Sequence, residues 1–161
     1  MSRTGLELWL FLSGIAVFTL TAAILDLRHR RIPNGLSVAG LAVGILFRGT
    51  TDGLAGLGDA AGAFAIGFGT LLILWVIGGG GGGDVKLMGA LSVWLGCRQT
   101  LHVLILSALL AFVFTTVRTL LRRPLPSSGD APSLPKRQPV VIAFAVPLAI
   151  ATWTLIGIDL L

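Results

Sequence analysis

Asp26 and Asp84 are the residues of this sequence whose placement asks for chemistry. Of seven acidic residues, Glu7, Asp52, Asp59, Asp130 and Asp159 fall at helix mouths or in loops, where water solvates them easily. Asp26 instead directly follows an apolar run of twenty residues, and Asp84 directly follows another apolar run and six consecutive glycines, Gly78 to Gly83. A carboxylate at the centre of a bilayer costs about 2.5–3.5 kcal/mol, and less near the interface. Two of them at one level point to use. Facing carboxylates cannot both ionise easily, so the pair holds one proton over a range of pH. The ionised member takes a proton from water while the protonated member donates to a scissile carbonyl. The plainer alternative is that each Asp pairs with a neighbouring Arg or Lys at the interface.

Composition decides what must position such a pair. The chain has 161 residues, 55% of them hydrophobic and 12% charged, with a mean hydropathy of +0.94. A soluble domain needs about a quarter charged residues to cover its surface, so lipid must cover the rest here. The net charge of +5 does not indicate nucleic acid, because the basic residues sit in short clusters between apolar runs. A single cysteine, Cys97, excludes an internal disulfide and a CxxC metal site. His29 and His102 have no clustered ligand partners, so neither a metal nor another cofactor is expected.

The apolar runs predict an all-α polytopic membrane protein with six transmembrane helices in one domain, residues 1–161. The helices are expected over residues 6–25, 36–47, 60–77, 84–96, 100–117 and 140–161. The first run is too long for a signal peptide and carries its arginines after it, so it is expected to stay. Pro33 and Asn34-Gly35 predict a turn after Asp26. Thr50, Thr51, Asp52 and Gly53 predict a second turn, and Cys97-Arg98-Gln99 a third. The stretch 118–139, rich in Pro, Ser and basic residues, predicts a solvated loop.

With the N-terminus outside, nine of the twelve basic residues fall on the inner side: Arg28, Arg30, Arg31, Lys86, Arg118, Arg122, Arg123, Lys136 and Arg137. Arg3, Arg48 and Arg98 fall outside. This positive-inside bias supports both span count and orientation. It also returns Asp26 and Asp84 to the same leaflet, so their separation in sequence is no obstacle to contact. The expected second and fourth helices are short, about 18–20 Å against a hydrocarbon core of ~30 Å, so either the bilayer thins here or these helices begin below the inner surface. Gly40-x-x-x-Gly44 and Gly58-x-x-x-Gly62 have the spacing of close helix contacts. Trp94 suits an interfacial belt. Trp9, Trp75 and Trp153 read as lipid-facing or packing residues.

The glycine run gives Asp84 a setting that structure alone does not need. Each glycine costs about 1 kcal/mol against alanine in a helix, and each permits positive φ and close approach of another chain. Asp84 then opens a helix, where the positive dipole end favours a carboxylate. The combination suits the admission of an extended peptide.

Two stretches carry a resemblance. Asp26-Leu-Arg-His-Arg-Arg-Ile-Pro-Asn34 and Gly81-Gly-Gly-Asp-Val-Lys-Leu-Met-Gly89 resemble the paired signatures of the type IV prepilin peptidases, the second being the GxGD motif of membrane aspartic proteases. The resemblance covers essentially the whole chain. It implies that Asp26 and Asp84 are the catalytic pair, with Gly81, Gly82, Gly83, Lys86, Pro33 and Asn34 shaping the substrate-binding loops. It implies an aspartic-type endopeptidase whose partner is the leader of a prepilin or pseudopilin with its apolar helix, cut at the cytoplasmic face. The setting would be the bacterial inner membrane, in pilus biogenesis and protein secretion. Larger members carry a cytoplasmic domain with paired cysteines, and many methylate the new N-terminus. This chain, with Cys97 alone, resembles the small form of tight-adherence (Flp-type) pilus systems, which implies cleavage without methylation. The archaeal preflagellin peptidases are also related.

Two other classes use the same residues differently. A small proton-coupled transporter would employ the carboxylates as a relay and need a polar path through both leaflets, where the outer halves offer little beyond Thr100 and His102. A non-enzymatic membrane component of a pilus machine would need neither carboxylate.

Overall fold

The computed structural model of the chain describes residues 5–29, 33–78, 81–121 and 145–160. They form six α-helices in the expected order: α1 (Gly5–His29), α2 (Asn34–Thr51), α3 (Gly53–Val76), α4 (Gly82–Leu95), α5 (Cys97–Leu121) and α6 (Ala145–Leu160). Three stretches are long and apolar enough to cross a membrane, Gly5–Arg28, Gly53–Val76 and Cys97–Val117, while Ala145–Ile158 of α6 is apolar but shorter. Leu10, Val17 and Leu20 of α1, Ile73 and Val76 of α3, and Ile105, Leu109 and Phe112 of α5 are exposed. Soluble proteins rarely leave so much contiguous apolar surface to water. These are the helices of a multi-pass membrane protein.

The joints are tighter than the turn residues predict. The predicted turn at Thr50, Thr51, Asp52 and Gly53 is nearly all helical. Thr50 Oγ1 donates to the Leu46 carbonyl (2.9 Å) and Thr51 Oγ1 to the Phe47 carbonyl (2.8 Å), so both threonines satisfy themselves within α2. Asp52 alone separates α2 from α3, and Gly53 at φ 63° turns the chain. The second helix therefore has 18 residues rather than about a dozen. Cys97, Arg98 and Gln99, predicted as a turn, are the first turn of α5, and Gly96 at φ 81° is the whole link from α4. The predicted solvated loop lies largely outside the described residues.

α4 is the centre of the bundle. It packs against α1, α2, α3 and α5, and Val85 together with every residue from Leu87 to Leu95 is buried. A helix buried all round needs no polar stripe, and this one has none beyond its first turn. Trp94 belongs to this core and not to an interfacial belt: it is buried, it stacks on Phe47 with centroids 5.6 Å apart, and its Nε1 donates to the Gly40 carbonyl at 2.9 Å. Glycines make its socket. Cβ atoms at Gly14 and Gly44 would lie 2.5 Å and 2.7 Å from Trp94, and one at Gly40 would enter the neighbouring Phe18 ring. The Gly40/Gly44 pair is thus a close-packing site, as its spacing predicts. Of the other pair, a Cβ at Gly62 would meet Cys97 Sγ, while one at Gly58 would point into open space. α6 is tied to α1 by Trp153 Nε1, which donates to Thr19 Oγ1 at 3.2 Å.

Asp52 and Asp59 depart from the expectation of simple solvation. Both form ion pairs with Arg48, and the Asp52 side chain is only 8% exposed.

Candidate active site

Asp26 lies inside α1, which continues through Leu27 and Arg28 to His29. The helix does not stop at Asp26 because nothing there breaks it; Pro33 comes later and sets the N-cap of α2. Asp26 is buried, with 6% of its surface exposed, and its Oδ2 accepts a hydrogen bond from the Ala145 amide at 3.3 Å. The end of α1 is thereby joined to the first described residue of α6. Backbone donors carry no residue-type signal, so this partner could not be read from sequence.

Asp84 is the third residue of α4, after Gly82 and Gly83, with Gly81 as the extended N-cap (φ −91°, ψ 138°). Its carboxylate reaches back to accept from the Gly81 amide, the acidic half of a capping box. The Asp84 amide in turn donates to the Gly81 carbonyl at 3.0 Å. A Cβ at Gly81 would sit 2.9 Å from Asp84 Oδ2, and one at Gly82 would sit 3.5 Å from the Trp75 indole nitrogen. Glycine at position 81 leaves room for the Asp84 carboxylate, while a Cβ at Gly82 would make only an ordinary contact. Gly78 has φ 90°; Gly79 and Gly80 lie outside the described residues.

The two aspartates lie on helices that pack against each other, α1 and α4. The charge of Asp26 acts on Asp84. Among the described residues neither forms an ion pair; the ion pairs seen there belong to Arg48. Arg30 and Arg31 lie outside the described residues, and Arg28 is exposed on α1.

The two motifs also meet through a second contact. Lys86, exposed on α4, donates from Nζ to Asn34 Oδ1 at 2.8 Å. Pro33 and Asn34 do not form the turn bearing Asp26 that their types predict; they open α2 instead. Pro33 is its N-cap (φ −62°, ψ 135°) and Asn34 its first residue, and the Pro33 carbonyl accepts from the Leu36 amide at 3.1 Å. Proline suits this place because its fixed φ and missing N–H cost nothing before a helix.

Residues 13–116 match the model of the type IV leader peptidase family. That span contains Asp26, Pro33, Asn34, Gly81 to Asp84 and Lys86. The chain is 30% identical over 113 residues to the prepilin leader peptidase/N-methyltransferase of Escherichia coli (strain K12), a match covering 66% of this chain and 50% of the relative. The chain thus spans about half the length of that curated relative. No solved structure matches it. With the family model covering well over half of the chain, the sequence belongs to the type IV leader peptidase family.

Proposed function

We propose that the chain is a membrane aspartic endopeptidase that removes the leader peptide of type IV prepilins or pseudopilins, with Asp26 and Asp84 activating water. The observation that supports this reading is that the charge of Asp26 on α1 acts on Asp84 at the start of α4, just after the glycines, in a member of a leader peptidase family. The ionised carboxylate takes a proton from water as the oxygen attacks the scissile carbonyl carbon. The protonated partner donates to the carbonyl oxygen. Collapse of the tetrahedral intermediate breaks the C–N bond, and the amine leaves with a proton returned by the pair. The Ala145 and Gly81 amides hold the two carboxylates in place.

The six helices are read as six membrane segments, with the N-terminus outside and the active site at the cytoplasmic face of a bacterial inner membrane. α4 is short because it starts below the surface, so Asp84 meets the substrate at membrane depth. The substrate's leader would pass the glycines before Asp84, and its apolar helix would stay in the bilayer. Within the family the chain is assigned to the Flp-type branch, acting by cleavage without methylation in pilus biogenesis.

The purified chain in liposomes, given a prepilin-like peptide, is expected to shorten it by its leader. Proton flux with no shortened peptide would instead establish the relay. The Lys86–Asn34 contact gives a further expectation. Lys86→Met and Asn34→Ala each remove one exposed hydrogen bond, worth about 0.5–1.5 kcal/mol, and should lower cleavage about 3–10-fold. Because both act on one bond, the double variant should be little worse than either single one. Rates that multiply in the double variant would show that the two residues act separately.

A further inference from the structure

A buried cation lies at the opposite end of α4 from Asp84. Arg48, in the last turn of α2, has a side chain only 7% exposed. Its Nε donates to the Val93 carbonyl at 3.3 Å, its Nη1 to Asp52 Oδ2 at 2.9 Å, and its Nη2 lies 3.5 Å from Asp59 Oδ2. Asp59 also accepts from Cys97: the amide donates to Oδ1 at 3.1 Å, and the thiol donates to the backbone carbonyl at 3.3 Å. A Cβ at Gly96 would fall on Asp59 Oδ2 and lie 2.6 Å from Arg48 Nη2. One guanidinium thus joins α2, the α2–α3 joint, α3 and the last turn of α4, and through Asp59 the α4–α5 joint.

Burying a charge is a poor route to stability, since apolar side chains of like volume pack as well or better. What this charge supplies is direction: two hydrogen bonds and an ion pair from one planar group. α4 gains most from that at its exit, because among the described residues its entrance is tied to α2 only by the exposed Lys86–Asn34 hydrogen bond. The bonds at Gly81 are made to Asp84 and Val85, within the same turn, and the residues before them are glycines. Asp84 and Val93 are nine residues apart, about 13.5 Å of helix, so a tilt of about 4° displaces the carboxylate by about 1 Å. A misplacement of that size costs about 10²-fold in rate.

We infer that Arg48 is a positioning residue for the proposed hydrolysis: it fixes the exit of α4 so that Asp84 meets Asp26. The inference rests on the peptidase reading, and its test separates the two. In the full chain in liposomes, Arg48→Lys keeps the charge but cannot reach all three acceptors. Arg48→Met/Asp52→Asn/Asp59→Asn leaves no lone buried charge and guards against loss of fold. Both should lower kcat at least about tenfold with KM unchanged, and the triple variant should unfold at close to the wild-type temperature. Cys97, the single thiol of the chain, reports the joint without any catalysis: its maleimide labelling should quicken several-fold in both variants. If the folded variants keep kcat within about twofold of wild type, or lose kcat without faster labelling, the positioning role is wrong. If wild type itself leaves the leader uncut while the variants label faster, the joint stands and the peptidase reading falls.

Discussion

Replacing either Asp26 or Asp84 by asparagine is expected to lower leader cleavage at least about 10³-fold, with the protein inserted and folded as before. General acid–base catalysis by one positioned group contributes about 10²–10⁴-fold, and here a single proton is shared by two groups, so losing either removes both roles. The effects should therefore not multiply: the double variant should be no slower than the singles. Asparagine is the right replacement because the structure gives each carboxylate a bond that an amide oxygen can keep. In Asp26→Asn the side-chain oxygen would still accept from the Ala145 amide, and in Asp84→Asn from the Gly81 amide. Neither variant leaves an unsatisfied backbone donor, so the change falls on the chemistry. The measurement is conversion of a co-expressed prepilin-like substrate on a blot, set against the amount of each variant in the membrane fraction. A variant present at normal level that keeps more than about a tenth of the wild-type rate would sink the pair, because general acid–base loss cannot be so small.

The proposal that these aspartates work as a pair starts from the sequence, by counting spans and charges. Two apolar runs lie between them, the basic residues mark one side, and the glycines before Asp84 are visible as composition. The helix joints are not legible in the same way. Thr50, Thr51, Asp52 and Gly53 all have turn chemistry, but the threonine hydroxyls bond back to α2, and a single positive-φ glycine is enough to reverse the chain. Trp94 reads as interfacial because its type favours an interface, whereas its place is decided by distant glycines, Gly14 and Gly44, whose missing Cβ atoms open a socket. Arg48 reads as one of the outer basic residues. Half of its true setting is present as the i, i+4 spacing to Asp52; the other half, Asp59 and the Val93 carbonyl, comes only from packing α3 and α4 together. The Ala145 amide that holds Asp26 has no sequence signature at all. What the sequence conceals is how the site is held, because that work falls to backbone groups and to contacts between distant helices.

Gly96→Ala should be the most damaging single change among the glycines, costing about 3–5 kcal/mol of stability. Two costs combine. Gly96 has φ 81° and ψ 170°, a region open essentially to glycine, so an alanine is strained by about 1–3 kcal/mol. Its methyl would also land on Asp59 Oδ2. The carboxylate must then move, giving up the Cys97 amide and its approach to Arg48. Relief by shifting the backbone is closed off too, because the Gly96 amide donates to the Ser92 carbonyl at 2.9 Å and its carbonyl accepts from the Thr100 amide at 3.0 Å. Moving this residue disturbs the last bond of α4 and the first of α5 together. Native proteins hold about 5–15 kcal/mol in all, so thermal unfolding in detergent should show a large drop in midpoint. Gly58→Ala is the control: Gly58 is exposed on α3 with nothing within 4 Å, and alanine there should be neutral or stabilise by up to about 1 kcal/mol. Equal midpoints for the two variants would mean that the α4–α5 joint is not held by the geometry at Gly96, and the anchoring of α4 would have to lie elsewhere.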